Sequence, residues 1–238
     1  MRIPKKIDPC PIVESIIELR FKPSVPTDAV FGLIYNQVKN SYQNVQKLPI
    51  LDLPEQIRNQ DKNLLYRPYH KLRNEQYDLN IGPRVISLIK KEPYNGWERF
   101  SADTCDLIKQ VAHAGIVNTI ERLGVRYINF FDSNIYDKVD LKLLLGDKNF
   151  IKNDTYIKNV YEESGIKIIL QLGNNVSYNK SGSVKTGSLI DVDVSRYNLG
   201  NAFISTPNEI LNEMHKKEKE IFFEILQDDF INQLNPEY

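Results

Sequence analysis

Cysteine, histidine, tryptophan and charge of one sign are all scarce in this chain. Its 238 residues include two cysteines, three histidines and one tryptophan. Cys10 and Cys105 are too few for a disulfide framework or a zinc site, and they read as reduced thiols of the kind a reducing cytoplasm keeps. The 31 basic and 31 acidic side chains cancel to a formal net charge of zero. A general nucleic-acid binder carries a basic excess to neutralise phosphates, so nucleic acid is not expected as a general partner. No apolar run approaches the ~20 residues of a membrane span, and the basic start Met1–Asp8 has no apolar signal core. The expectation is a cytoplasmic protein with no membrane attachment. No glycine-rich phosphate loop is present either. Gly182 and Gly187 lack the strand–loop–helix setting and the Lys-Ser/Thr ending.

What is there is period-two and helical patterning in alternation. Val13, Ser15, Ile17, Leu19 and Phe21 alternate with Glu14, Ile16, Glu18 and Arg20, the pattern of a half-buried strand. Pro23 and Pro26 end it, and Thr27 precedes a helical stripe of Val30, Phe31, Ile34 and Val38. Residues 39–62 read as a polar loop with one short helix. Strands are expected over 64–69, 76–81 and 85–90. A long helix follows, capped at Ser101 or Asp103, with Leu107, Ile108, Val111, Ala112, Ile116 and Ile120 as its stripe and Gly124 as its stop. The pattern then restarts. A strand is expected over 125–131, a short helix over 137–145, and strands over 156–162, 165–172 and 189–197, with a long exposed turn over 173–187. Thr206, Pro207 and Glu209 predict a capping box with proline in the first turn of a terminal helix.

The two halves look alike. Tyr94-Asn95-Gly96-Trp97-Glu98-Arg99-Phe100-Ser101 is echoed by Tyr197-Asn198-Leu199-Gly200-Asn201-Ala202-Phe203-Ile204-Ser205. The serines lie 104 positions apart and the strand ends Phe21 and Phe131 lie 110 apart, which differ only by loop length. The expected fold class is α+β: two pseudo-repeated β-α-β-β-β-α halves, residues 1–124 and 125–238, in one compact unit. They would form a broad curved antiparallel sheet with long helices packed on one face. The open face would then carry Glu14, Ile16, Glu18, Arg20, Arg126, Ile128, Phe130, Lys167, Ile169, Gln171, Asp191, Asp193 and Ser195.

This element order resembles the saddle fold of the TATA-binding protein. Saddle proteins offer DNA a basic and aromatic underside, whereas Asp191 and Asp193 here would repel phosphates, so DNA binding does not carry over. At the level of motif, three pieces stand in order: Pro11-Ile12-Val13-Glu14 leading to Ile17-Glu18-Leu19-Arg20-Phe21, then Leu123-Gly124-Val125-Arg126-Tyr127-Ile128-Asn129, then the helix from Met214-His215 through Phe222-Phe223. In these the chain resembles a sporadically distributed family of prokaryotic proteins with no assigned function. The resemblance brings no chemistry; its patchy distribution implies mobile modules such as phage defence or toxin–antitoxin loci.

Candidate chemistry is sparse. Glu14 and Glu18 share a strand face near Arg126, which admits acid–base work, but a structural Glu–Arg network across central strands explains them more simply. Asp191 and Asp193 have a spacing that can hold Mg²⁺, yet alternating acids on a solvent-facing strand are commoner. His70, His113 and His215 form no ligand pair or triad. Arg67-Pro68-Tyr69-His70 has too short a spacing for an Arg–His ribonuclease motif. Tyr66, Tyr69, Tyr77, Tyr94, Trp97 and Phe100 read as packing rather than base stacking. The leading expectation is a non-enzymatic protein-binding or assembly module with no catalytic residue, metal or cofactor, serving as an accessory or regulatory subunit. Its partner would be another protein or a second copy in a homodimer, met through Glu14, Glu18, Arg20, Arg126, Ile128, Phe130, Lys167, Asp191 and Asp193. The alternatives are a metal-dependent hydrolase or nuclease on Glu14, Glu18, Asp191 and Asp193, and a receptor for a nucleotide or metabolite between sheet and helices.

Overall fold

Strand β1 (Ile12–Pro23) follows directly from its alternation. Val13, Ile17, Leu19 and Phe21 are buried with Ser15, while Glu14, Ile16, Glu18 and Arg20 are half-buried on the other face. In this computed structural model, residues 2–151, 154–180, 183–200 and 202–238 are described. Among them the protein is mixed α+β, with six helices and one large antiparallel sheet of nine strands. The chain runs from β1 through α1 (Thr27–Val38), β2 (Asn44–Lys47), α2 (Glu55–Gln60), β3 (His70–Arg73), β4 (Tyr77–Gly82), β5 (Val85–Lys91) and α3 (Trp97–His113). It continues with β6 (Val117–Phe131), a small hairpin β7 (Leu144–Leu145) and β8 (Lys148–Asn149), β9 (Tyr156–Glu163), β10 (Ile166–Lys180) and β11 (Ser183–Tyr197). Helices α4 (Ala202–Ser205), α5 (Pro207–Glu224) and α6 (Asp228–Gln233) close it. The sheet order is β2-β3-β4-β5-β1-β6-β11-β10-β9, so β1 and β6 pair at its centre.

The registers define what each face carries, because residues opposed across an antiparallel pair point the same way. Ser15 opposes Lys90 of β5 and Tyr127 of β6, and Lys90 opposes Tyr77. The helices dock on this side. Phe100 of α3 lies 6.0 Å from the Tyr77 ring, His215 of α5 lies 5.5 Å from Tyr127, and Phe31 of α1 stacks on His70 at 3.7 Å. Val30, Ile34, Leu107, Ile108, Leu211 and Met214 complete the core against Ile17, Val125, Ile190 and Val192. Burial of each such side chain contributes roughly 1.5–3 kcal/mol. No helix among the described residues is long and apolar enough to cross a membrane.

Several elements differ from the sequence expectation. The helix expected to reach Gly124 ends at His113, because Gly115 (φ +67°) turns the chain and the β-branched Ile116, Val117, Thr119 and Ile120 favour an early start of β6 at Val117. Ile120 is therefore buried from a strand and Ile116 from the residue just ahead of it, and β6 passes unbroken through residues 124 and 125. The turn expected over 173–187 is strand on both sides. β10 and β11 run on as a long hairpin, with one irregularity between Gly173 and Val176. No helix forms over 137–145; a single 3-10 turn, Ile135–Asp137, buries Ile135 and Tyr136 instead. The segment from Leu64 turns, and pairing begins only at its end, where Tyr69 bonds to Ile81 and Leu48 just ahead of β3 at His70. Helix α3 begins at Trp97, ahead of Ser101 and Asp103. Thr206 stands at the N-cap of α5 with Pro207 behind it, but its hydroxyl makes no capping bond; Thr27 is the first residue of α1, not its cap.

Candidate functional site

The face away from the helices is organised in cross-strand rows. Ile89, Ile16, Arg126, Asp193, Ile169 and Val160 oppose one another in sequence across β5, β1, β6, β11, β10 and β9. The next row runs Lys91, Glu14, Ile128, Asp191, Gln171 and Lys158. Expected open-face residues of β1, β6, β10 and β11 thus share one surface. Segment Tyr66–Pro68 folds over one end of it. The Arg20 guanidinium lies 4.8 Å from the Tyr66 ring centre, the Tyr66 hydroxyl donates to Glu121 at 2.9 Å, and Gly82 leaves room for the Arg67 carbonyl.

At its centre is Arg122, which sequence reasoning placed in a helix. Its side chain lies over Gly124, where an added Cβ would come within 2.8 Å of Cζ and 2.9 Å of Nη2. From there it bridges three strands. Nη1 donates to Glu18 on β1 at 2.7 Å, and Nη2 donates to both oxygens of Asp193 on β11 at 2.9 and 3.0 Å. Only 6% of the Arg122 side chain is exposed. Glu18 also accepts from Arg20 Nε at 2.8 Å. Beside this group Arg126 grips Asp191 with two bonds, 2.8 and 2.6 Å. Asp191 further accepts from Gln171 at 2.5 Å, and Gln171 accepts from the Tyr156 hydroxyl at 2.7 Å. Such fork-to-carboxylate bonds are the strong ones, and here they pin register across the sheet.

The electrostatics follow the geometry. Burial pushes the Asp193 carboxyl above its ordinary value, with Arg122 and Arg126 pulling it back. Burial weighs against the Arg122 charge, but Asp193 and Glu18 more than offset it. Hydrogen bonding to Asp191 raises Arg126. A second cluster, unforeseen in the sequence, surrounds Asp78. Burial disfavours its charge, yet Arg73 at 2.8 Å and Lys91 at 3.2 Å draw its pKa below the ordinary value, with Lys71 at 3.7 Å.

Each expected residue now has a place. Glu14 does not bond to Arg126; it opposes Ile128 and Lys91 and reaches Arg126 only through space. Glu14 and Glu18 are therefore not a joint acid–base couple. Asp191 and Asp193 are bound by guanidinium groups rather than turned to a shared cation, and no three His, Cys, Asp or Glu side chains among the described residues gather as metal ligands. Ile128 and Phe130 are half-buried, with the Phe130 ring 5.5 Å from Tyr178. Lys167 opposes Ser195 and Glu162. The tyrosine-rich cluster divides. Tyr77, Tyr94, Trp97 and Phe100 pack under the helices, whereas Tyr66 and Tyr69 meet Arg20 and Arg58. His215 stacks on Trp97 at 4.0 Å, and burial lowers its pKa to about 3. The nearby Glu218 is buried, and burial pushes its carboxyl well above the ordinary range.

Away from these rows, a cleft of about 810 Å³ opens at the sheet margin beside α3. Tyr42, Arg73, Tyr77, Arg99, Asp103 and Gln110 are among its walls, and Asp103 accepts from the Tyr77 hydroxyl at 2.6 Å and from Arg99 Nε at 2.9 Å. None of the expected open-face residues lines it. Comparison with known protein families and with curated proteins finds no match to this chain in either.

Proposed function

We propose that the chain is a non-enzymatic protein-binding or assembly module, working as an accessory or regulatory subunit through the open sheet face. The observation that carries this reading is the pairing pattern of its acids. Glu18, Asp191 and Asp193 are each held by arginine across neighbouring strands, which orders the face and commits these three carboxylates to ion pairs rather than to proton transfer or metal. Half-exposed Ile16, Ile89, Ile128, Phe130 and Ile169 lie among these ion pairs. Apolar patches framed by charge are the composition of contact surfaces. A pseudo-repeat of two β-α-β-β-β-α halves with a shared, saddle-like sheet is part of the same proposal. It is supported by the central β1–β6 pair, from which β5 and β11 are the next strands on either side. Placement in a mobile prokaryotic defence or toxin–antitoxin locus rests on the motif resemblance.

The test is a pair of substitutions, Ile16→Glu and Ile169→Glu, assayed by affinity capture from the native host beside the wild type. Loss of the captured partner with unchanged circular dichroism supports the reading; an unchanged partner set overturns it. A second reading, a small polar-ligand receptor, is favoured by the cleft beside α3. Thermal shift against nucleotides and metabolites, repeated with Arg99→Ala, decides it.

A further inference from the structure

The two ends of the sheet are managed differently. One end is β2, four residues long. The other is β9, eight residues that pair with β10 without any register shift from Glu163 to Tyr156. No strand lies on its outer side among the described residues. Proteins blunt such edges with shortness, proline, bulges, charged side chains or a covering segment, because unpaired main-chain groups recruit another strand; of these β9 carries the charges Lys158, Glu162 and Glu163. β9 has no proline and no bulge. Its Ile157 and Tyr161 hold it to the core, while Tyr156 is 57% and Val160 49% exposed. An eight-residue, half-apolar edge of this kind is a template for strand addition.

The sequence of β9 also says which strand fits. A second copy of the chain, related by a two-fold axis through the edge, pairs antiparallel and keeps each face continuous only in registers that oppose even-numbered positions to even-numbered ones. The register centred on Val160 sets Val160 against its own copy and Lys158 against Glu162 twice. Shifting one step either way along the allowed registers sets Lys158 against Val160, or against Ser164, and loses both charge pairs. Lys158 and Glu162 are exposed on the open face, so neither is committed to the core. Opposite charges directly across an antiparallel pair stabilise it and like charges disfavour it. We propose that the protein forms a homodimer by antiparallel β9–β9 pairing centred on Val160, joining two sheets into one. This goes beyond the open-face reading, since the contact is main chain at the sheet edge and leaves the face itself free.

The experiment is sedimentation velocity with charge reversal. The wild type should sediment at twice the 27.6 kDa chain mass. Lys158→Glu alone and Glu162→Lys alone should each be monomeric, because each creates two like-charge contacts. An equimolar mixture of these two variants should recover the dimer, since every contact across a mixed pair is then complementary. In a Cys10→Ser background, Val160→Cys should cross-link to itself on mild oxidation, as opposed Cα atoms at about 4.5–5.5 Å suit a disulfide. A monomeric wild type, a dimer indifferent to both reversals, a mixture that stays monomeric, or no cross-link at 160 each overturns the proposal. Capture through the open face is read separately by Ile16→Glu and Ile169→Glu, so the two readings fail independently.

Discussion

Gly124→Ala should damage this protein through Arg122 rather than through glycine's own backbone. An added Cβ would stand 2.8 Å from Arg122 Cζ, so the guanidinium has to leave its seat. It would surrender its bonds to Glu18 and both oxygens of Asp193, leaving two carboxylates short of a cation. Breaking a fully buried ion pair costs about 3–5 kcal/mol. The Glu18 and Asp193 side chains keep 24% and 19% exposure, which places the expected loss at the lower end, about 3 kcal/mol. For a domain of this size that lowers Tm by about 6–12 °C. Arg122→Met removes the same bonds and should fall by a similar amount. The decisive assay is the double variant in urea or thermal unfolding. Because both changes abolish one set of contacts, the pair should be little worse than either single variant. Losses that add, to about 6 kcal/mol, or a Gly124→Ala variant within about 0.5 kcal/mol of wild type, would refute the assignment.

Two pH predictions follow from the buried groups beneath α5. The folded-state pKa of Glu218 is raised, so its contribution is fully present at acid pH and is lost as pH rises above the unfolded carboxylate value. Glu218→Gln should therefore gain stability over wild type at neutral pH and lose that advantage below about pH 4.3 in urea titrations. His215 is lowered instead, to about 3 from an ordinary 6.5, so folding is favoured above that ordinary value and weakened as pH falls between the two. His215→Phe keeps the ring on Trp97 and should flatten the acid limb of the stability curve by up to about 1.4 kcal/mol per pH unit, measured by unfolding between pH 6.5 and 4.

Strand β1 was legible because alternation alone separates its buried and open residues. Strand β6 was not. Ile116 and Ile120 fit a helical stripe as well as a strand, and Gly124 looked like a helix stop when its role is to leave space for Arg122. The alternation Arg122, Gly124, Arg126 was the signal that could have corrected this. The long hairpin was hidden by Gly, Ser and Asn between 173 and 187. There the pairing to a neighbouring strand, absent from local pattern, overrides propensity. At the candidate site the carboxylates were placed on the right face, yet their partners were not. Glu18 meets an arginine 104 positions away and Asp193 one 71 positions away, and such meetings depend on register that one sequence does not state.

The central claim is that the open face meets a protein partner. A photo-reactive phenylalanine analogue placed at Phe130, on that face, tests it most directly in the native host, against the same analogue at Leu33 of α1, which is 40% exposed on the helix side. A discrete adduct from position 130 and none from position 33 is predicted. Equal labelling from both, or none from position 130, would contradict it.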